Sequence, residues 1–141
     1  MPAVLWTALI AWFSAEAWSA AGTGFLVPLL ASLVPWAAPE QLKAGVWLIR
    51  KCAHFVEYAV LSMLTFRALR HTLRGQAGRQ LLAGAVAVSI ACASLDELHQ
   101  YLWTRNRTGT PKDVVLDTVG AFAGAVVGAT YLYRRITRRA A

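Results

Sequence analysis

Charged residues are scarce in this chain of 141 residues: they make up 15% of it, against roughly a quarter of a typical soluble domain. Hydrophobic residues make up 57%. A soluble protein of this length has room for one domain and cannot bury so much apolar surface, whereas a bundle of membrane helices exposes that surface to lipid. The composition therefore predicts a single all-α membrane domain over residues 1–141.

Cysteine is also scarce, and Cys52 and Cys92 each lie within an apolar segment. Their number and spacing match neither a disulfide framework nor a zinc site, so we expect both to be inert packing residues. The net charge of +7 would suit nucleic acid, but the basic residues form short tracts beside apolar segments rather than lining one groove. We therefore expect no nucleic-acid partner and no cofactor.

Four segments are each close to the roughly 20 apolar residues that a helix needs to cross about 30 Å of hydrocarbon. They are residues 3–21, 47–67, 81–102 and 114–133. Between the first two, residues 25–34 are apolar but too few to cross, which suits a short re-entrant or interfacial segment. Pro39 and Glu40 then have the pattern of a helix start, from which a helix can run unbroken into the second span. The sequence thus predicts an integral membrane bundle of about four transmembrane helices.

Arginines in the loops predict the orientation of this bundle. Four lie at positions 67–79, between the second and third spans, and four lie at positions 134–139, after the fourth. Placing both groups in the cytoplasm puts both termini there, and all seven acidic residues then lie at or toward the outer side. Residues 15–17 have the small-x-small form of a signal-peptide cleavage site, but no basic region precedes them, so we expect the first span to be retained.

Most of the other ionisable side chains gather at the outer ends of the apolar segments. Such groups cost a few kcal/mol each at membrane depth, so they indicate a structural or functional role. On the fourth span, Gly120, Gly124 and Gly128 form a stripe that lets another helix approach closely. Asp113 and Asp117 fall on the same face, which points them into the bundle. The candidate ligand-binding residues are Lys51, His54, Glu57, Asp96, Glu97, His99, Gln100, Arg107, Asp113 and Asp117.

Helical spacing also places Asp96, His99, Gln100 and Trp103 on one face of the third span, with Leu95, Leu98 and Leu102 on the opposite face. Three interpretations of the polar group stay open. It is a ring of paired charges that fixes helix register, a charged pocket that opens outward, or a metal site built from acid and histidine pairs one turn apart. Lys51 and Arg107 would compete for the same carboxylates, so a metal is not our expectation. Nucleophilic catalysis has less support, because no Ser, Thr or Cys has a base beside it in sequence.

These residues resemble the VanZ-like family of small bacterial membrane proteins. Three motifs carry the resemblance in the expected order, at residues 49–58 (IRKCAHFVEY), 96–100 (DELHQ) and 107–120 (RTGTPKDVVLDTVG). The short Pro-Gly-Arg turn of the family is replaced here, so either Arg105 or Arg107 fills the arginine position, and the spacing to Asp113 favours Arg107. The family is named after a protein that contributes to teicoplanin resistance. The resemblance therefore implies a bacterial plasma-membrane location and a link to the cell envelope or to glycopeptides, but no reaction.

We predict from this a membrane protein whose outward-facing charged pocket binds or modulates an envelope or glycopeptide-related ligand. Lys51 and Arg107 are the expected contacts to an anionic group, such as the phosphate of a lipid-linked envelope precursor. One alternative is a membrane enzyme acting on a lipid-linked phosphate, with His54 or His99 as general acid or base. The other is a small transporter. Membrane lipids are expected partners, and small-residue faces make a second copy of the chain a candidate partner.

Overall fold

A computed structural model describes residues 2–15, 22–103 and 110–140, with side chains described as far as residue 131. The described residues confirm the all-helical fold. Two helical segments, Gly78–Trp103 and Pro111–Tyr131, are long and apolar enough to cross a membrane. The five helices of the described residues are α1 (Pro2–Phe13), α2 (Leu26–Leu33), α3 (Pro39–Thr72), α4 (Gly78–Trp103) and α5 (Pro111–Ala140).

Helix α1 ends at Phe13, earlier than residue 21, where the first span was expected to end. The amide of Ala15 bonds to the carbonyl of Trp12 at 3.1 Å, which is the tighter turn that commonly closes a helix. Ser14 is buried there, and its hydroxyl accepts a hydrogen bond from Gln100 of α4 at 2.8 Å. The 12 residues of α1 rise about 18 Å, less than the thickness of a bilayer core. Residues 16–21 lie outside the described part of the chain.

The apolar segment at 25–34 contains α2, whose eight residues are too few to cross a bilayer, as its length predicted. Helix α3 then begins at Pro39, and the side chain of Gln41 accepts a hydrogen bond from the amide of Ala38 at 2.8 Å. Proline is favoured at this position because the first amides of a helix have no partner inside the helix. Helix α3 runs without a break to Thr72, which confirms the predicted continuity from Pro39 into the second span.

The most extensive helix contact in the described structure lies between α3 and α5. Along it, each glycine of the predicted stripe on α5 faces one residue of α3, and the residue numbers rise together on both helices. The two helices are therefore parallel. Two of the glycines lie against backbone carbonyls of α3, so the helices approach more closely than any side chain would allow. The contacting pairs are Gly120 with Phe55, Gly124 with Ala59, and Gly128 with Met63.

Helix α4 runs antiparallel to this pair, because Leu69 lies near Gly84 whereas Tyr58 lies near Ala93. Its buried positions recur every three or four residues, and three of the six carry small side chains. Small side chains on this face let α4 pack against α3 and α5 together. The core that results contains Tyr58 and Leu61, joined by Ile10 of α1. The buried residues of α4 are Leu81, Ala85, Ser89, Ala93, Glu97 and Gln100.

Large apolar side chains cover the outward faces of α4 and α5. A soluble protein rarely exposes a continuous apolar surface of this kind, whereas lipid solvates it. On α5 the buried residues are small or polar and large apolar residues lie outside, which is the arrangement expected of a helix packed in a membrane. The exposed residues include Leu95, Leu98, Val115, Val119, Phe122 and Val127.

Charge is sorted between the two ends of the bundle. Because α3 and α5 are parallel, the end of α3, the start of α4 and the end of α5 lie at the same end. The arginines at 67–79 and the helical positions 134–139 therefore lie together. The carboxylates of α4 and α5 lie at the opposite end, where α4 finishes and α5 begins. The tertiary structure thus separates the basic tracts from most of the acids, as the loop charges predicted.

Candidate functional site

Three helices bring ionisable side chains together at the end of the bundle opposite the arginines. Helix α3 contributes two cationic or basic groups, α4 contributes one carboxylate, and α5 contributes two carboxylates. The helical period explains this convergence for α3 and α5, because the two residues from each of these helices lie three or four positions apart and share one inward face. We call this group the polar cluster, and it consists of Lys51, His54, Glu97, Asp113 and Asp117.

The outer part of the polar cluster is an ion pair between α3 and α5. The ammonium group of Lys51 donates a hydrogen bond to Asp113, and both side chains are about one-fifth to one-quarter exposed. The ammonium group also lies 5.8 Å from the ring centroid of Trp47, within the range of a cation–π contact. Asp113 is in the first turn of α5, where a negative charge is favourable. Partial exposure means that water or another anion can reach this pair.

The inner part of the polar cluster is more deeply buried, and its burial costs more free energy. Nδ1 of His54 lies 3.8 Å from Oδ1 of Asp117, which is too long for a hydrogen bond. Asp117 is fully buried, and neither of its oxygens has a hydrogen-bond partner among the described residues. The hydroxyls of Tyr58 and Ser62, one and two turns further along α3, are also buried and without such a partner in the described structure. Buried polar groups in this state require an explanation, which a bound ligand or internal water can supply.

Glu97 connects α4 to the start of α5. It is buried, and its carboxylate accepts a hydrogen bond from the backbone amide of Thr110 at 2.7 Å. Thr110 directly precedes Pro111, so this contact holds the turn from which α5 begins. Electrostatic interactions also link Glu97 with Lys51 and Asp113. Glu97 therefore brings α4 into the polar cluster.

The polar face of α4 is only partly buried, because Gln100 lies inside the bundle whereas His99 and Trp103 do not. Both are exposed, and their rings stack with centroids 5.6 Å apart. The inward face instead follows the small residues of α4, such as Ala93, and Glu97 is one turn beyond Ala93 on that face. Polar residues were a poor guide to the face that turns inward, because helix packing in this bundle depends on small side chains.

The remaining candidates lie on the side of the bundle that faces α1. Gln100 is buried and donates hydrogen bonds to Ser14 and, at 2.9 Å, to Asp96. The backbone carbonyl of Glu57 accepts a hydrogen bond from the indole of Trp6 at 2.8 Å. The candidates from the sequence therefore divide between two places rather than lining one pocket. Arg107, like Arg105, lies outside the described residues.

Some contributors to these two places are not among the residues that the sequence patterns indicated. The backbone amide of Thr110 carries no side-chain signal, so no pattern could have shown it. Ser62 was detectable in principle, because it lies on the buried face of α3 one turn from Tyr58. Among the residues that the structure describes, no three His, Cys, Asp or Glu side chains form a group that could hold a metal ion.

The fold and the polar cluster define a class: a small helical protein with two helices long and apolar enough to cross a membrane and with buried ionisable groups at one end of its bundle. The model of the VanZ/LLP1 family matches residues 1–132, and the chain belongs to this family. This match confirms the resemblance read from the three motifs and extends it over the first two helices. Neither the curated proteins nor the solved structures contain a match to the chain.

Proposed function

We propose that this protein is a multi-pass protein of the bacterial plasma membrane with four crossings, a short interfacial segment at 25–34 and both termini in the cytoplasm. The polar cluster then opens toward the outer leaflet, where it binds or modulates an envelope or glycopeptide-related ligand. The sorting of charge between the two ends of the bundle supports this orientation. Membrane lipids and a second copy of the chain are proposed partners.

One observation carries the proposal of a binding site: the register of α3 on α5 is already determined without the charges. Gly120 and Gly124 lie against backbone carbonyls of α3, and any slip would drive a side chain into backbone. A ring of charges that served only to fix register would repeat what the glycines accomplish. Burying ionisable groups in a membrane bundle costs free energy. Because the glycines already fix the register of α3 on α5, the presence of these groups supports a functional role for them.

The chemistry of the outer pair indicates how a ligand would bind. Lys51 is a flexible cation that is partly exposed, and its present partner is Asp113. A phosphate or carboxylate of a ligand can share the ammonium group with Asp113, since a lysine ammonium has three donors. We propose that Lys51 makes this contact, together with the family arginine, for which Arg107 is the leading candidate. His54, Asp117 and Glu97 orient these groups.

The test is a tolerance assay in a teicoplanin-sensitive Gram-positive host that expresses the protein. Lys51→Ala should abolish the tolerance that the wild-type protein confers, while its level in the membrane stays normal. Lys43→Ala is the matched control, because Lys43 is an exposed residue of the same helix that pairs with Glu40 at 3.5 Å. Full tolerance with Lys51→Ala would contradict the assigned site, and absence of tolerance with the wild-type protein would contradict the glycopeptide part of the proposal.

The inner pair favours a second candidate function, an enzyme acting on a lipid-linked phosphate. A histidine beside a buried carboxylate is an arrangement used for general acid–base catalysis, and such contacts are often long before substrate binds. His54 and Asp117 have this relation. The purified protein would then hydrolyse a lipid-linked pyrophosphate, with water forming the new P–O bond as the P–O–P bond breaks and inorganic phosphate leaves, and His54→Gln would abolish the release. Binding of the lipid without release would favour the binding protein.

A further inference from the structure

A groove lies between α1, α3 and α4, with a volume of about 300 Å³. Its floor is formed by Ile10 and Tyr58, which are 4% and 0% exposed. Helix α1 packs mainly on α3, which leaves this space along α4. The volume is at the lower end of the range for ligand pockets, about 300–1,000 Å³.

The rim of the groove is exposed and mostly apolar. Ala11 of α1 forms one side, and Leu95, which is 66% exposed, forms the other. The groove therefore opens sideways from the bundle, where a membrane-spanning helix such as α4 meets lipid chains rather than water. An apolar floor with a lipid-facing opening fits a hydrocarbon chain.

One end of the groove is polar. Asp96, which lines the groove, accepts a hydrogen bond from Gln100 at 2.9 Å, and Gln100 also donates one to Ser14 of α1. Asp96 and His99 line the groove at this end, one turn apart on α4. A carboxylate beside an apolar groove is stabilised by a cationic donor, because a charge-assisted hydrogen bond offsets the cost of partial burial.

We propose that this groove binds a membrane lipid, with one hydrocarbon chain along Ile10 and Tyr58 and a cationic amine of the head group on Asp96. The polar end of the groove is the end of α4 that carries the polar cluster. With the orientation given under the proposed function, on which this part rests, the head group lies at the outer surface and the chain points inward. That is how a lipid of the outer leaflet is oriented.

The test uses the full-length protein purified in mild detergent from vesicles of equal parts phosphatidylethanolamine and phosphatidylglycerol with identical acyl chains. Native mass spectrometry counts the lipids that each variant retains. The wild-type protein should prefer the amine-bearing lipid by about tenfold, as one charge-assisted hydrogen bond predicts. Asp96→Asn should remove this preference and keep the hydrogen bond from Gln100, since an asparagine oxygen still accepts it.

Ala11→Trp should fill the groove and reduce retention of both lipids. Its matched control is Ala87→Trp on an exposed face of α4, which should retain lipid as the wild-type protein does. Equal retention of the two lipids by the wild-type protein would overturn the role of Asp96, and unchanged retention by Ala11→Trp would overturn the groove as the site. These readouts do not involve tolerance or the polar cluster, so their failure is distinct from a failure of the proposed function.

Discussion

The glycine contacts between α3 and α5 make a quantitative prediction. A Cβ atom at Gly124 would lie 1.8 Å from the carbonyl oxygen of Ala59, whereas ordinary contact begins at 3.4 Å. Relief of that clash requires the two atoms to move apart from 1.8 to 3.4 Å, that is by 1.6 Å. A gap of about 1 Å already forfeits up to half of the attraction between packed atoms, so Gly124→Ala should separate the helices along their shared interface. We expect it to cost about 3 kcal/mol or more in free energy of unfolding.

The other glycines should give a graded series. At Gly120 the new atom would lie 2.4 Å from the carbonyl oxygen of Phe55, so we expect a cost of about 2 kcal/mol for Gly120→Ala. At Gly128 the nearest atom is Cγ of Met63 at 3.2 Å, which can move because it belongs to a flexible side chain. The gain in helix propensity from alanine, about 1 kcal/mol, offsets that contact, so Gly128→Ala should be close to neutral.

The assay is unfolding in mixed micelles with increasing dodecyl sulfate, followed by circular dichroism, which yields the free energy of unfolding for each variant. Gly78→Ala is the matched control, because nothing lies within 4 Å of a Cβ atom at that position. These distances predict the order Gly124, Gly120, Gly128 from most to least destabilising. If Gly124→Ala were as stable as Gly78→Ala, the close approach of α3 to α5 would be refuted.

Three further predictions follow from the fold and the polar cluster. After replacement of both native cysteines, Lys112→Cys should react with a membrane-impermeant thiol reagent on intact cells and Gln76→Cys should not. The reverse pattern would show that the protein has the opposite orientation in the membrane. Glu97→Ala should destabilise the protein by about 1–3 kcal/mol in thermal or chemical unfolding, because it leaves the amide of Thr110 without its acceptor. Glu97→Gln keeps an acceptor oxygen and should destabilise the protein less. His99→Ala should change stability by less than about 0.5 kcal/mol in the same assay, because the ring is exposed, and a larger loss would mean that its stacking on a neighbouring ring stabilises the end of α4.

Local chemistry in the sequence determined the kind of structure and several of its boundaries. Pro39 and Pro111 begin helices because proline suits the first turn and cannot donate an amide hydrogen bond inside it. The apolar runs predicted α4 and α5 closely, since a membrane span is a property of consecutive residues. The glycine stripe predicted a close helix contact from its spacing of four alone. These inferences need only neighbours along one helix, which a sequence displays.

Tertiary structure decided which residues meet. Lys51 pairs with Asp113 across 62 positions of sequence, and no local pattern specifies that partner. The glycine contacts between α3 and α5 determine this partner, because they hold the two parallel helices in one alignment. The same packing turned Glu97 inward and left His99 outside, because the small residues of α4 decide which of its faces can approach the other two helices. A helix carries several polar residues around its circumference. The shape of the neighbouring helices determines which of these residues lie inside the bundle, where they can form a site.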